Sequence, residues 1–404
     1  MIVHLIFTGC VLGLTVLNYY AGRRNVLYPA FFFSLIWLVV LCLYLVPLVE
    51  LNPLGAVTLA IVTSGIVAFS AGASFAGWWH PRPPVASLSR NSVKRALFFY
   101  CLAALPLFFL ETRRLSAAGG LEGFLFSARA SLIEATENGE RQYSSPLYTI
   151  TVTLSVFVAF ILLIEAREWK KERVWVWGSI LTAVAFAVLT TGRVTLLGLT
   201  AGLTGIFLLK KKQFSAKEAW KFFRWPLAAI LILFLVLVLF TKDISQDEGT
   251  KDIFARLVFG YAVLPLAGFD YVVHHDSEYK HDPNHTFAPV LAALVPLGVQ
   301  YRPPPPNDFI SVPVPVNVFT VFRFFYVDFG FAGMLVVLFL IGAGQTWIFR
   351  KALIGDHLYI FLFAVSLYPL AMVAFDDQYS QILTLAFWKQ PLFAVLYFRV
   401  LRAI

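Results

Sequence analysis

Two residues in the polar part of the sequence have side chains suited to moving a proton. His285 lies in the stretch Asn284-His285-Thr286-Phe287, and an imidazole titrates near neutral pH. Asp328 stands immediately before an apolar run, where a carboxylate without a partner is costly. We predict that one of these two residues is a catalytic base or orients one. The structural alternative for Asp328 is a helix cap.

A second set of candidate residues consists of arginines. The guanidinium group stays charged and presents a planar fork of donors that matches phosphate. Arg193 follows Gly192 in a tight turn between two apolar runs, and Arg256 and Arg323 lie in apolar segments. We predict that these three arginines bind an anionic substrate group, with help from Arg129. Salt bridges to carboxylates, or snorkelling of the side chain to the membrane surface, are the structural alternatives.

Asn317 joins this set because of its spacing from Arg323. Asn317, Thr320 and Arg323 are three residues apart, which would place all three on one side of a helix. We predict that Asn317 contributes to substrate binding from that side.

Metal and cofactor sites are not predicted. Four of the seven histidines fall between His274 and His285, but their spacing matches no H-E-x-x-H or similar ligand pattern. The three cysteines show no paired metal spacing. We therefore predict no metal site.

The elements that must hold these residues are strongly apolar. Of 404 residues, 59% are hydrophobic and only 14% are charged, whereas soluble proteins average about 25% charged residues. The composition predicts an all-α protein, a polytopic bundle of transmembrane helices that forms a single membrane domain over residues 1–404. The formal net charge of +9 is explained by membrane orientation, so no nucleic-acid partner is predicted.

Eleven apolar runs are candidates for spans, because most approach the roughly 20 residues that cross the hydrocarbon. They are residues 1–20, 28–49, 54–78, 96–111, 146–164, 174–191, 194–209, 226–241, 331–349, 358–375 and 379–398.

Basic residues orient these runs. With eleven spans, six basic clusters that hold 20 of the 32 lysines and arginines fall on one side. The positive-inside rule makes that side the cytoplasm, with the N-terminus outside and the C-terminus inside. Eight of the twelve remaining basic residues are arginines on the outer face, where membrane orientation does not account for them.

Two outward loops, at about 112–145 and 242–330, are far longer than a connector requires. We predict short helices within them and a site that faces outward. The apolar segment 253–273 is predicted as a re-entrant or interface-lying helix, because a twelfth span would invert the later basic clusters.

The chain resembles the oligosaccharide repeat unit polymerases, the Wzy-type O-antigen and capsule polymerases, in its layout of spans and outward loops. The local resemblance rests on Thr191-Gly192-Arg193, on Asn284-His285-Thr286-Phe287, on Asn317-Val318-Phe319-Thr320, and on Tyr326-Val327-Asp328-Phe329-Gly330 with Gly333.

This resemblance implies a GT-C-like fold and an inverting, metal-independent glycosyl transfer in the bacterial cytoplasmic membrane. A growing glycan on undecaprenyl pyrophosphate would pass to the next lipid-linked repeat unit on the periplasmic side. The resemblance best supports Arg193 as a residue that neutralises the pyrophosphate, and His285 or Asp328 as the residue that activates or orients the acceptor. Arg256 and Arg323 are predicted to bind the pyrophosphate with Arg193, and Arg256 and Arg129 rest mainly on their charge and placement. Lipid-linked glycans and membrane lipids are the implied partners, and a chain-length-regulating copolymerase would be an additional one.

Three other functions are alternatives to this one. An O-antigen ligase uses similar donors with a different acceptor. A metal-dependent membrane glycosyltransferase is disfavoured. Such enzymes usually carry acidic residues in the first outward loop, and here that loop, residues 49–53, is too short for a site of two acids. A transporter or flippase is disfavoured because polar residues gather in outward loops rather than in the middle of the spans.

The role of Arg193 is testable by reconstitution with lipid-linked repeat units. We expect Arg193→Ala to slow polymer formation, because the pyrophosphate leaving group would lose a charge-matched donor. Long polymer made by Arg193→Ala at the wild-type rate would contradict this role. Transport of substrate across the vesicle without polymer formation by the wild type would instead favour the transporter.

Overall fold

The apolar runs of the sequence form α-helices in the computed structural model of the chain. The structure describes residues 2–46, 51–79, 91–115, 146–166, 168–190, 193–210, 250–275, 285–300, 310–312, 315–379 and 385–401.

These residues contain twelve α-helices and one pair of two-residue strands. The helices are α1 (Ile2–Ala21), α2 (Pro29–Tyr44), α3 (Ala56–Ala76), α4 (Asn91–Leu115), α5 (Pro146–Glu165), α6 (Trp169–Leu189), α7 (Arg193–Lys210), α8 (Thr250–His274), α9 (Ala288–Leu294), α10 (Phe322–Leu353), α11 (His357–Ala371) and α12 (Leu385–Val395). A 3-10 turn, Val295–Leu297, continues α9, and a π-helical turn, Leu396–Leu401, continues α12. The antiparallel strands are β1 (Ile310–Ser311) and β2 (Pro315–Val316).

The prediction of a helical membrane protein is confirmed at this coarse level. Six helices, α1, α3, α4, α5, α6 and α10, are long and apolar enough to cross a membrane, and four shorter helices are also apolar. Every predicted span except 226–241 contains a helix, and 226–241 lies outside the described residues. The count of eleven spans stays a prediction.

The chain divides into two compact units, each assembled from separate stretches of sequence. The first unit comprises Met1–Arg82, Gln246–Lys351 and Tyr368–Trp388. The second unit comprises Pro83–Ser245, Ala352–Leu367 and Lys389–Ile404.

In the first unit, α3 and α10 approach each other closely at two glycines. A Cβ atom at Gly72 would lie 1.9 Å from the backbone oxygen of Phe339, and one at Gly342 would lie 2.1 Å from the backbone oxygen of Phe69. Small residues at such positions let the backbones of membrane helices meet, because lipid provides no hydrophobic driving force between helices.

Polar side chains inside the first unit also join its helices. The Asn18 amide of α1 donates to the hydroxyl of Ser70 in α3 at 2.9 Å and to the hydroxyl of Ser34 in α2 at 3.3 Å. At the end of α3, the Arg350 guanidinium of α10 donates to the backbone oxygens of Ala76 and Gly77. A cation at a helix C-terminus satisfies carbonyls that have no partner within the helix.

The second unit is held at its helix ends by buried charges. Lys210, the last residue of α7, donates to the backbone oxygens of Leu163, Ile164 and Ala166 at 2.8–2.9 Å. Glu165, the last residue of α5, accepts from the Tyr397 hydroxyl at 2.9 Å and lies 3.4 Å from the Lys94 ammonium group.

The segment predicted as re-entrant or interface-lying, 253–273, belongs to the single 25-residue helix α8. Its second half packs against α2 and α3 within the first unit, with Val263, Leu266, Phe269 and Val272 buried. Whether α8 crosses the membrane stays a prediction.

The close approach of α3 and α10 gives a test of this packing. We expect Gly342→Ala to lower the free energy of unfolding by about 1–3 kcal/mol, because the added methyl group overlaps the Phe69 carbonyl. The measurement is the midpoint of thermal unfolding of the detergent-solubilised protein.

Gly344→Ala is the matched control in the same helix. Nothing lies within 4 Å of a Cβ atom at Gly344. Alanine also favours a helix over glycine, so this variant should unfold at or above the wild-type temperature. Equal midpoints for Gly342→Ala and Gly344→Ala would contradict the packing.

Candidate functional site

Asp328 lies directly before a break in α10. Gly330 has φ 66° and ψ −177°, so the helix is divided into Phe322–Phe329 and a longer part that begins at Phe331. This backbone conformation is essentially restricted to glycine. At about 1.5 Å per residue, the part after Gly330 is long enough to cross about 30 Å of hydrocarbon. Asp328 therefore lies three residues before the start of this long apolar segment.

The Asp328 carboxylate is buried and accepts from the turn that begins at His285. Its side chain has no exposed surface. Oδ2 accepts from the backbone N–H of Thr286 at 2.6 Å. Oδ1 lies 3.4 Å from the backbone nitrogen of His285 and 3.1 Å from its Nδ1. The two residues predicted to move a proton are thus in direct contact, although they are 43 positions apart in the sequence.

This contact brings one ring nitrogen of His285, Nδ1, to the carboxylate and leaves the other, Nε2, outside that contact. An ionised carboxylate only accepts hydrogen bonds, so beside an ionised Asp328 the Nδ1 atom, 3.1 Å from Oδ1, would be the donor. In a neutral imidazole, Nε2 then carries the lone pair and is the proton acceptor. About a quarter of the His285 side chain remains exposed. The pair consequently has the arrangement of an accessible base that is oriented by a buried carboxylate.

An aromatic contact orients the imidazole ring of His285. The His285 ring stacks on the Phe324 ring, with centroids 5.3 Å apart and an interplanar angle of 25°. Phe324 lies on the same short helical segment as Asp328, so one rigid element contacts both an edge and a face of the ring.

Arg323, predicted to bind an anion, is buried in the protein. Its guanidinium carbon lies 3.9 Å from the centroid of the Phe319 ring and 5.3 Å from that of Phe324. Its charge also acts on the carboxyl group of Asp376. The surroundings are those of a cation that organises the site, and binding of an anion by Arg323 stays a prediction.

The predicted helical face of Asn317, Thr320 and Arg323 is wrong. Residues 317–320 are not helical, and α10 begins at Phe322. The backbone N–H of Val321 donates instead to the oxygen of Val373 at 2.9 Å, which draws the preceding residues away from helical pairing. Asn317 is exposed and lies before the helix, so its contribution to substrate binding stays a prediction.

Sequence reasoning missed the turn after α11, which lies beside Arg323. Asp376 Oδ1 accepts from the backbone N–H of Asp377 at 2.8 Å, and Oδ2 accepts from the Gln378 amide at 2.7 Å. Burial raises the pKa of the Asp376 carboxyl, although these hydrogen bonds and the charge of Arg323 oppose the shift. The available signal in the sequence was the pair of adjacent acids, Asp376 and Asp377, at the end of an apolar run, where carboxylates need partners.

The side chains of the remaining predicted arginines lie outside the part of the chain that the structure describes. Arg193 is the first residue of α7 in the second unit, and Arg256 lies in the first half of α8. Arg129 lies outside the described residues. Their roles in anion binding stay predictions.

Among the described residues, no group of three or more His, Cys, Asp or Glu side chains is arranged to hold a metal ion. Most of the histidine-rich passage lies at 276–284, outside those residues.

Comparison with protein-family models, with curated proteins and with solved structures finds no match to this chain. The resemblance to the polymerases therefore stays a prediction carried by the sequence motifs.

Hydrogen exchange tests the contact between Asp328 and the turn at His285. We expect Asp328→Ala to accelerate amide exchange about tenfold or more in the peptide that contains Thr286, because its N–H loses a buried acceptor. The measurement is hydrogen–deuterium exchange followed by mass spectrometry.

Asp270→Ala is a matched control, because its Oδ1 accepts from the backbone N–H of Gly55 at 2.9 Å in the same unit. This variant should accelerate exchange near Gly55 and leave the Thr286 peptide unchanged. Unchanged exchange at Thr286 in Asp328→Ala would refute the contact.

Proposed function

We propose that this chain polymerises undecaprenyl-pyrophosphate-linked oligosaccharide repeat units at the outer face of the bacterial cytoplasmic membrane. It would be a Wzy-type polymerase, an inverting glycosyltransferase with a GT-C-like bundle of about eleven spans. The observation that supports the proposal is the contact between His285, the proposed base, and Asp328, the carboxylate proposed to orient it, directly before the long apolar part of α10.

In the proposed reaction, a hydroxyl group of the incoming repeat unit attacks the anomeric carbon of the growing glycan. A new C–O bond forms, and the bond between that carbon and the pyrophosphate oxygen breaks. The hydroxyl proton passes to Nε2 of His285, and the bond electrons leave with the pyrophosphate. Asp328 stabilises the imidazolium through the proton on Nδ1. Attack from the face opposite the leaving group inverts the anomeric configuration.

The charge that develops on the pyrophosphate needs cationic partners. Arg193 and Arg256 are proposed for this task, with Arg129, because arginine neutralises phosphate without a metal. Arg323 is better suited to a positioning role, since it is buried against Phe319 and near Asp376. In that role it would hold the helical segment that presents Asp328.

The distribution of charge supports the proposed orientation. Basic residues gather in six clusters on one side of the predicted spans, and His285 and Asp328 fall on the other side. The site would face the periplasm, where lipid-linked repeat units are joined, and the C-terminus would lie in the cytoplasm. An O-antigen ligase would share the donor and the base, so the acceptor used in an assay separates the two functions.

Replacement of the proposed base gives the direct test. We expect His285→Ala to lower the rate of polymer formation at least about a hundredfold in proteoliposomes that contain lipid-linked repeat units. Added imidazole should restore part of that rate, because the smaller side chain leaves space for an external base. The measurement is the initial rate of glycan elongation, followed by gel electrophoresis.

His275→Ala is the matched control. Its Nδ1 lies 2.8 Å from the backbone oxygen of Tyr271 and its ring stacks on that of Tyr271, away from any described carboxylate contact. This variant should elongate glycan at nearly the wild-type rate. Wild-type activity in His285→Ala would contradict the proposed base. A loss of activity in His275→Ala as large as that in His285→Ala would contradict it as well.

A further inference from the structure

The segment that follows His285 exposes large apolar side chains. Phe287, Val290, Val295, Leu297 and Val299 are all exposed, and Leu297 reaches 79%. They lie on α9, on the 3-10 turn that continues it, and beside these elements. We refer to residues 287–299 as the apolar ledge.

The composition of the ledge is unusual for an outward loop. From Thr286 to Val299 the sequence contains no charged residue, whereas charged residues occur on both sides at Lys280 and Arg302. A solvated loop of this length normally carries charge, and a contiguous apolar patch in water is unfavourable.

The ledge continues the apolar surface of α10. The Phe287 ring contacts the Phe329 ring, with centroids 5.9 Å apart. Two residues later, α10 resumes as a membrane helix whose exposed side chains include Phe331, Val336 and Leu340. Phe287 thus lies at the level where α10 starts to cross the membrane.

We infer that the apolar ledge is immersed in the outer surface of the bilayer and that lipid hydrocarbon is its occupant. A short element with exposed apolar side chains and no charge is stabilised at that boundary in proportion to its buried apolar area. Continuity with the exposed face of α10 identifies lipid, rather than a second protein, as the material that covers it.

Immersion of the ledge sets the height of the reactive pair. Thr286, whose backbone N–H donates to Asp328, is adjacent to Phe287, the first residue of the ledge. The His285–Asp328 pair is therefore held at the bilayer surface, where the head group of a lipid-linked substrate lies. The immersion itself does not depend on the proposed reaction.

Spin labels measure this immersion directly. Cys10, Cys42 and Cys101 are first replaced, and Leu297→Cys is labelled with a nitroxide in proteoliposomes. The collision rate of the nitroxide with oxygen, which concentrates in hydrocarbon, is compared with its collision rate with a water-soluble nickel chelate. We expect the oxygen-to-nickel ratio at Leu297 to be several-fold higher than at Ser311→Cys, an exposed position on β1.

Two further labels make the result decisive. Leu340→Cys, exposed within α10, gives the value for hydrocarbon, and Val299→Cys repeats the ledge measurement at a second position. Ratios at both ledge positions equal to that at Ser311 would overturn the inference. Exclusion of both reagents, with dipolar broadening between copies, would also overturn it by showing that a second chain covers the ledge.

Discussion

The burial of the Asp328 carboxylate is the constraint on which the candidate site depends. A carboxylate without exposed surface is costly unless donors surround it, and here the donors come from a turn 43 residues away. The turn at His285 is therefore tied to the end of a membrane helix. Gly330 completes the arrangement, because its left-handed backbone ends the short helical segment that carries Asp328.

The same segment links the pair to the rest of the first unit. Phe324 contacts the His285 ring, and Arg323 next to it is packed on Phe319. The backbone of Val321 is hydrogen-bonded to Val373, which precedes the turn of Asp376. Removal of one member would thus affect the others, since groups in one polar and aromatic network are not energetically independent.

Apolar runs predicted where helices form, because a span needs a long stretch of apolar residues and little else. Residue type likewise predicted His285 and Asp328 as site residues, because ionisable side chains beside a membrane span are costly without a partner or a function. Their contact could not be predicted, because it joins two segments that lie 43 residues apart in the sequence. The prediction of a helical face for Asn317 was wrong for a related reason. The backbone N–H of Val321 donates to the oxygen of Val373, a long-range partner, instead of to a residue one helical turn earlier.

A double-mutant cycle on glycan elongation tests the central claim, that Asp328 acts through His285. The initial rates of wild type, His285→Ala, Asp328→Asn and the double variant are compared in proteoliposomes. If the pair acts as one unit, the double variant is no slower than His285→Ala alone, because a carboxylate cannot orient an absent base. Losses that multiply in the double variant would contradict the account.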